Sequence, residues 1–448
     1  MDPVTALVLL NAHVVDANGP RDVAAILIED GRITHMGELP EFEESVPMRE
    51  VDLEGQTVLP GLIDMHVHLS LTPSGAFRET DAQTNERQWR THLKSYVAWG
   101  VTTVLDTGIL PEHARTLHTY ADSQASPELY FLGPILSPPG GYVSVVLPEF
   151  PSVATAADVA EQFAAWDDLD PVGVKLTQER GMVTKVWPLY SDEVRAAILD
   201  EAAKRDWPLF VHGMSVEEHN LALDMQPKAM VHPVDRSNKK LAQRHVEQGT
   251  YVTTTLSVFE SNLMEWDLER LDTPMMKLTV PPEELESAKD PFVHSEYKRI
   301  VTENVVPNMM FKSVIEKLLA KPAPLEKRGQ KMAGHVAYLH EQGVPLLMGS
   351  DSGNWPIFAF EFHGPTTIRE VELLVQWSGI DPLDVITIST LNPAKALGID
   401  DEVGTVEVGK QADLMIVDGD PLADITALRN ISWTVLDGQM QTPTEWMR

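Results

Sequence analysis

Cysteine is absent from the 448 residues, so disulfides and thiolate metal ligands are both excluded. Any metal held by this chain must be held by histidine, carboxylate or a modified side chain. Basic residues are scarce, with 35 Lys and Arg against 67 Asp and Glu, and the net charge of −32 argues against nucleic acid as a partner. No apolar run approaches the roughly 20 residues needed to span a bilayer, so no membrane partner is expected. Met1-Asp2-Pro3 carries no positive region, and Val4 to Leu10 is too short and poorly flanked for a signal peptide. That run reads as a first strand, and the expected location is the cytoplasm.

The acidity is unevenly placed. Residues 1–60 hold 12 acids and 3 bases, and residues 400–448 hold 10 acids and 3 bases, so the two ends carry half of the net charge. A well-solvated acidic face is the plain reading, and adaptation to high salt the sharper one. At this length the chain can bury a large core, as two or three domains or as one large barrel with a small partner.

The two ends resemble each other and differ from the middle. Ala24 to Gly37 reads as a hairpin with an Asp30-Gly31 turn, and both Ala412 to Gly419 and Ile431 to Gly438 read as strand then turn. Short strands at both ends can pair into one small sheet domain, with the middle as an insert. There the pattern alternates. Strands are expected ending at His66 and at Val101–Asp106, Leu129–Leu132, Val172–Leu176, Pro208–His212, Ala229–His232, Thr250–Thr255 and Pro345–Asp351. Helical patterns such as Gln88–Trp99, Ser191–Arg205 and Asp235–Gln248 fall between them. Eight strands in repeated βα units predict an α/β fold, a (β/α)8 TIM-like barrel with a small β-sandwich domain built from both termini. The expected boundaries are 1–60 and 400–448 for the sandwich and 61–399 for the barrel. Around 260–340 the rhythm breaks into a Met-rich helical insertion, read as a lid or pocket wall, a packing extension or an oligomer contact.

Within Leu59-Pro60-Gly61-Leu62-Ile63-Asp64-Met65-His66-Val67-His68, apolar residues alternate with Asp64, His66 and His68, the period of a strand. Both histidines therefore project from one face at its C-terminal end, a good first pair of ligands for zinc. Other strand ends are polar as well. Lys175 lies in the fourth strand, His212 ends the fifth, His232 the sixth, and Asp351 follows the eighth within Gly349-Ser350-Asp351. Taken singly, each has a bland reading: a satisfied histidine, a lysine paired with a buried acid, an aspartate capping a turn. Jointly, at one end of one barrel, they point to a metal site.

With these residues the chain resembles the amidohydrolase superfamily of metal-dependent hydrolases. The tail adds to the likeness: Ser389-Thr390-Leu391-Asn392-Pro393-Ala394-Lys395-Ala396-Leu397-Gly398 and Gly404 to Leu414 look like that family's closing helix and return to its sandwich. Within it the chain is most similar to the imidazolonepropionase-like and Xaa-Pro dipeptidase-like branch, and ochratoxin-hydrolysing amidases look similar. The resemblance implies two divalent ions, zinc by expectation, with His66, His68 and Asp351 holding one and His212 and His232 the other. It also implies that carbon dioxide carboxylates Lys175, whose carbamate bridges both. A free ammonium beside two dications would be repelled, whereas a carbamate is an anion with two oxygens.

The implied activity is hydrolysis of an amide bond in a small molecule, an N-acyl amino acid or dipeptide-like substrate. A metal-bridging hydroxide attacks and Asp351 shuttles the proton. Two departures weaken any transfer of specificity. Pro138-Pro139-Gly140-Gly141-Tyr142 stands where the branch often carries a glycine-rich loop with histidine, and Pro233 stands where glycine is commoner. Tyr142 is a candidate donor to substrate or oxyanion. Asn354, Trp355 and His363 are further pocket candidates, and Arg369 is a candidate for binding a substrate carboxylate. No role is assigned to His294, His335 or His340. The same ligands also suit a phosphotriester, lactone or carbamate. A mononuclear deaminase is disfavoured by Lys175 and by the lack of a His-X-X-Glu pattern after His212, and a scaffold with a decayed pocket by the full ligand set. A homo-oligomer is left open.

Overall fold

A computed structural model describes residues 6–38, 48–71, 82–147, 149–180, 187–304, 321–354 and 360–448. The expectations placed on Met1–Pro3, Met309, Met310 and Trp355 lie outside these residues.

The chain opens with β1 (Ala6–Asp16), β2 (Gly19–Glu29), β3 (Arg32–Gly37), β4 (Met48–Asp52) and β5 (Thr57–Pro60). β1 pairs antiparallel with β2 along its whole length and parallel with β4 and β5. The Asp30-Gly31 turn has φ of 48° and 78°, the left-handed pair that a two-residue hairpin requires. The middle of the chain then contributes β6 (Leu62–Val67), β7 (Val101–Asp106), β8 (Glu128–Phe131), β9 (Ile135–Leu136), β10 (Val174–Thr177), β11 (Leu209–His212), β12 (Ala229–Met230), β13 (Tyr251–Thr253) and β14 (Leu346–Leu347). At the end β15 (Leu414–Val417), β16 (Ile431–Leu436) and β17 (Gln439–Gln441) return to the first sheet, where β15 pairs antiparallel with β5.

That sheet has eight strands in the order β17-β16-β15-β5-β1-β2-β3, with β4 on β1. Its apolar face gathers Leu9, Val14, Ile26, Ile33, Val58, Leu414, Ile416 and Val435 from both ends of the sequence. The two ends meet closely. A side chain on Gly438 would come within 2.9 Å of Gly31 Cα, so the turns of the β2–β3 and β16–β17 hairpins abut and only glycine fits there.

Within each of their sheets β6 to β14 pair in parallel and in sequence order, and helices separate them except between β8 and β9, as βα repeats demand. The expected single closed ring appears as two sheets, β6-β7-β8 and β9 to β14. Backbone bonds link their edges. On one side Val172 N donates to Phe131 O, and on the other Met65 N, Asp351 N and His68 N pair with Met348 O, His66 O and Ser352 O. The ladder is irregular there because β8 and β9 are separate short pieces and the backbone at Asp351 leaves the strand conformation (φ 57°). The two-residue β9 was not expected.

Sequence alternation is realised in β6. Ile63 and Met65 join Leu105, Phe210, Val231 and Leu347 in an apolar cluster, while Asp64 and His66 make polar contacts with Ser350, Thr367 and Val231. Helix starts follow their caps. Ser191 Oγ accepts from Val194 N at the head of Asp192–Arg205. The helix expected from Asp235 begins at Lys239, because Asn238 supplies the cap, and Gly249 ends it in the left-handed conformation.

The insertion is helical where described: Pro274–Thr279, Pro282–Lys289, Pro291–Asn304 and Pro322–Glu341. A buried bond of 2.6 Å from His92 Nε2 to Glu284 Oε1 ties Pro282–Lys289 to the helix Ala82–Ala98. Among the described residues no helix is long and apolar enough to cross a membrane.

Candidate metal centre

His66, His232 and Asp351 come together from the ends of β6, β12 and the segment after β14. One ligand atom of each lies within 4.8 Å of the others, and all three are buried. His66 and His68 reach the same carboxylate, with Nε2 to Asp351 Oδ1 distances of 3.3 and 3.0 Å. These are approaches without hydrogen-bond geometry. Neither Asp351 oxygen has a hydrogen-bond partner among the described residues, although the residue is 1% exposed. Buried carboxylates are as a rule hydrogen-bonded, and this pair of bare oxygens, faced by two imidazoles, fits a cation.

Ring orientation points the same way. His66 Nδ1–H donates to Val231 O at 2.9 Å, which leaves its Nε2 lone pair for a ligand, and His232 Nδ1 is engaged by Thr255 Oγ1 at 2.9 Å. Burial, reinforced by the neighbouring cationic groups, holds both imidazoles well below the usual histidine range. They are neutral, the form that binds metal. Strain supports the arrangement: Asp351 and Thr255 have φ of 57° and 39°, which non-glycine residues adopt only when their surroundings impose it. Asp64 helps impose it. Its buried carboxylate accepts from Ser350 N at 2.9 Å and Thr367 Oγ1 at 2.6 Å, and burial pushes it up to about 6.

Lys175 Nζ lies 3.5 Å from His66 Nε2. Burial pushes its ammonium down to about 7, against the opposing pull of Asp351 and Asp106. A lysine titrating there presents the neutral amine that carbon dioxide requires. The His212 ring lies 4.5 Å from that of His232, and its Nε2–H donates to Glu179 Oε2 at 2.6 Å. Nδ1 is therefore the His212 nitrogen left for a ligand. His66, His232 and Asp351 thus fit a cation, with His68, Lys175 and His212 beside them.

The pocket candidates divide. Tyr142 is buried, with its ring 5.2 Å from that of His212 and stacked on it. Burial, with Glu179 and Asp351, pushes its hydroxyl well above the usual tyrosine range, so it stays a neutral donor. Asn354 is buried three residues after Asp351. His363 has both nitrogens engaged, Nδ1 accepting from Tyr96 Oη at 3.0 Å and Nε2–H donating to Leu71 O at 3.1 Å. Arg369 departs from expectation. All three of its nitrogens donate to protein acceptors, chiefly Glu260 and Glu372, so it is committed to an ion-pair network rather than offered to a substrate carboxylate.

Two carboxylates went unnoticed in the sequence. Glu179 lies past the end of β10, where no periodicity marks it. Glu361 sits in Phe360-Glu361-Phe362, all three buried. An acid between two aromatics was its one available signal.

The chain matches the model of the Amidohydrolase family over residues 57–440 and belongs to that family. An imidazolonepropionase of Thermoplasma volcanium is 34% identical over 85 residues, 19% of this chain, and the chain spans only 20% of that relative. A Xaa-Pro dipeptidase solved with bound methionine in its active site has a TM-score of 0.74 at 21% identity, covering 98% of this chain and 100% of its own. The ochratoxinase of A. niger has a TM-score of 0.72 at 16% identity, covering 99% and 97%. Both share the fold along nearly the whole chain.

Proposed function

We propose that this chain is a binuclear metal-dependent hydrolase of amide bonds in N-acyl amino acids or dipeptide-like molecules. In this reading residues 61–399 are one (β/α)8 barrel whose two parallel sheets are arcs of the same ring, and 1–60 with 400–448 are its sandwich. The observation that carries it is the buried Asp351 carboxylate, bare of hydrogen bonds and faced by His66 and His68. His66, His68 and Asp351 would hold one ion and His212 and His232 the other, and Lys175, if carboxylated by carbon dioxide, would supply an anionic ligand to both. The ions, zinc in this reading, supply Lewis acidity toward the carbonyl and lower the pKa of water.

The protein's own groups do the rest. Asp351 takes the proton of the attacking water and delivers it to the departing amine nitrogen. Tyr142 donates to the oxygen that gains charge as the carbonyl carbon becomes tetrahedral. Asp64 and Glu179 hold Asp351 and His212 in place. The names of the dipeptidase, ochratoxinase and imidazolonepropionase relatives support a carbon–nitrogen bond as target. Hydrolysis assays over N-acyl amino acids, Xaa-Pro dipeptides, lactones and phosphotriesters test this: cleavage of the first two classes is expected, and activity confined to phosphotriesters overturns it.

One observation favours a mononuclear alternative, a deaminase. His66, His232 and Asp351 are the group whose ligand atoms cluster within 4.8 Å, enough for a single ion. Metal stoichiometry separates the two.

A further inference from the structure

Glu361 is fully buried, and neither of its carboxylate oxygens has a hydrogen-bond partner among the described residues. The backbone holds it beside the metal centre. Gly353 N donates to Glu361 O at 2.8 Å, two residues after Asp351. Burial, with repulsion from the Asp351 charge and against a contact from Ser261, pushes the Glu361 carboxyl well above the usual carboxylate range, and Glu361 in turn acts on Tyr142 and Tyr297. On its other side Glu361 lines a cavity of about 160 Å³ walled by Met264, Leu271, Met276, Phe360 and Phe362. Ser261 Oγ is beside it but donates to Val258 O at 3.0 Å.

The other charges around this cavity are matched. Arg369 and Arg270 pair with Glu260, and Arg369 and Arg429 with Glu372. Glu361 is the carboxylate there with no cation among the described residues. A buried acid without a partner costs stability, and such groups persist where a ligand completes them.

Building on the amide-hydrolase reading, we propose that Glu361 recognises a positively charged nitrogen on the substrate, so that amides bearing a protonated primary amine are preferred. An ammonium brings three donors and a compensating charge. A methyl group of the same size brings neither and leaves the acid unsatisfied, a difference expected to exceed about tenfold in kcat/KM.

Two pairs of substrates test this on the metal-loaded enzyme. Glycyl-phenylalanine and propionyl-phenylalanine exchange an ammonium for a methyl on the acyl side. Propionyl-lysine and propionyl-2-aminoheptanoic acid make the same exchange on the leaving side. At least one pair should favour its cationic member by about tenfold or more. Glu361→Gln, and Glu361→Met as a variant with no amide to satisfy, should bring that ratio close to one. A wild type that discriminates in neither pair, or a ratio that survives both substitutions, overturns the proposal. If none of the four amides is cleaved, the amide reading itself fails. Calorimetry with n-butylammonium then decides Glu361 alone: binding lost in Glu361→Gln supports its role, and equal or absent binding overturns it.

Discussion

His212 Nε2 donates to Glu179 Oε2 across 2.6 Å, between two buried side chains. The bond fixes the imidazole tautomer, turns Nδ1 toward the centre and raises the ring's basicity as a ligand. Glu179→Ala should therefore weaken metal binding by about 10- to 100-fold, measured by competition with a chelator. Glu179→Gln keeps an acceptor and should lie between. Unchanged affinity in Glu179→Ala would remove Glu179 from the site.

Arg369 links Glu260 to Glu372, whose side chains are 8% and 0% exposed. Removing it leaves buried carboxylates short of a partner, while Arg270 and Arg429 still compensate part of their charge. Arg369→Leu should cost roughly 3 kcal/mol, the low end for a broken buried pair, read from denaturant unfolding of the holoprotein. KM should move little. A large rise in KM without loss of stability would restore Arg369 as a substrate anchor.

Asp413 immediately precedes β15, where burial, against an N–H bond from Asp437, pushes its carboxyl up from 3.8 to about 7. The unfolded chain ionises this group first. Its contribution to stability is therefore complete below about pH 4 and is lost as pH rises toward 7, at roughly 1.4 kcal/mol per unit. Asp413→Asn retains the acceptor for Asp437 N and should flatten the stability profile across that window. An unchanged slope would contradict the raised value.

Much of the fold, and the nearness of the candidate ligands to one another, is legible in the sequence for one reason. Strands alternate, and polar residues at the ends of apolar strands have few places to go. His66, His68, Lys175, His212, His232 and Asp351 all follow that rule. What is hidden depends on contacts distant in sequence or on segments without a period. Arg369 looks like a free guanidinium on an amphipathic helix until Glu260, 109 positions away, folds against it. Glu179 lies past the end of β10 in a segment without a period, and β9 is too short to register. Lys239–Gln248 starts later than its sequence suggests because Asp235 resembles a cap as well as Asn238 does.

Metal content per chain, for the wild type and Lys175→Ala purified with bicarbonate and added divalent metal, tests the central claim most directly. Two ions should fall to one or none, with loss of hydrolysis, because the bridging oxygens are gone. A single ion that the substitution leaves in place would make Lys175 structural and contradict the binuclear centre.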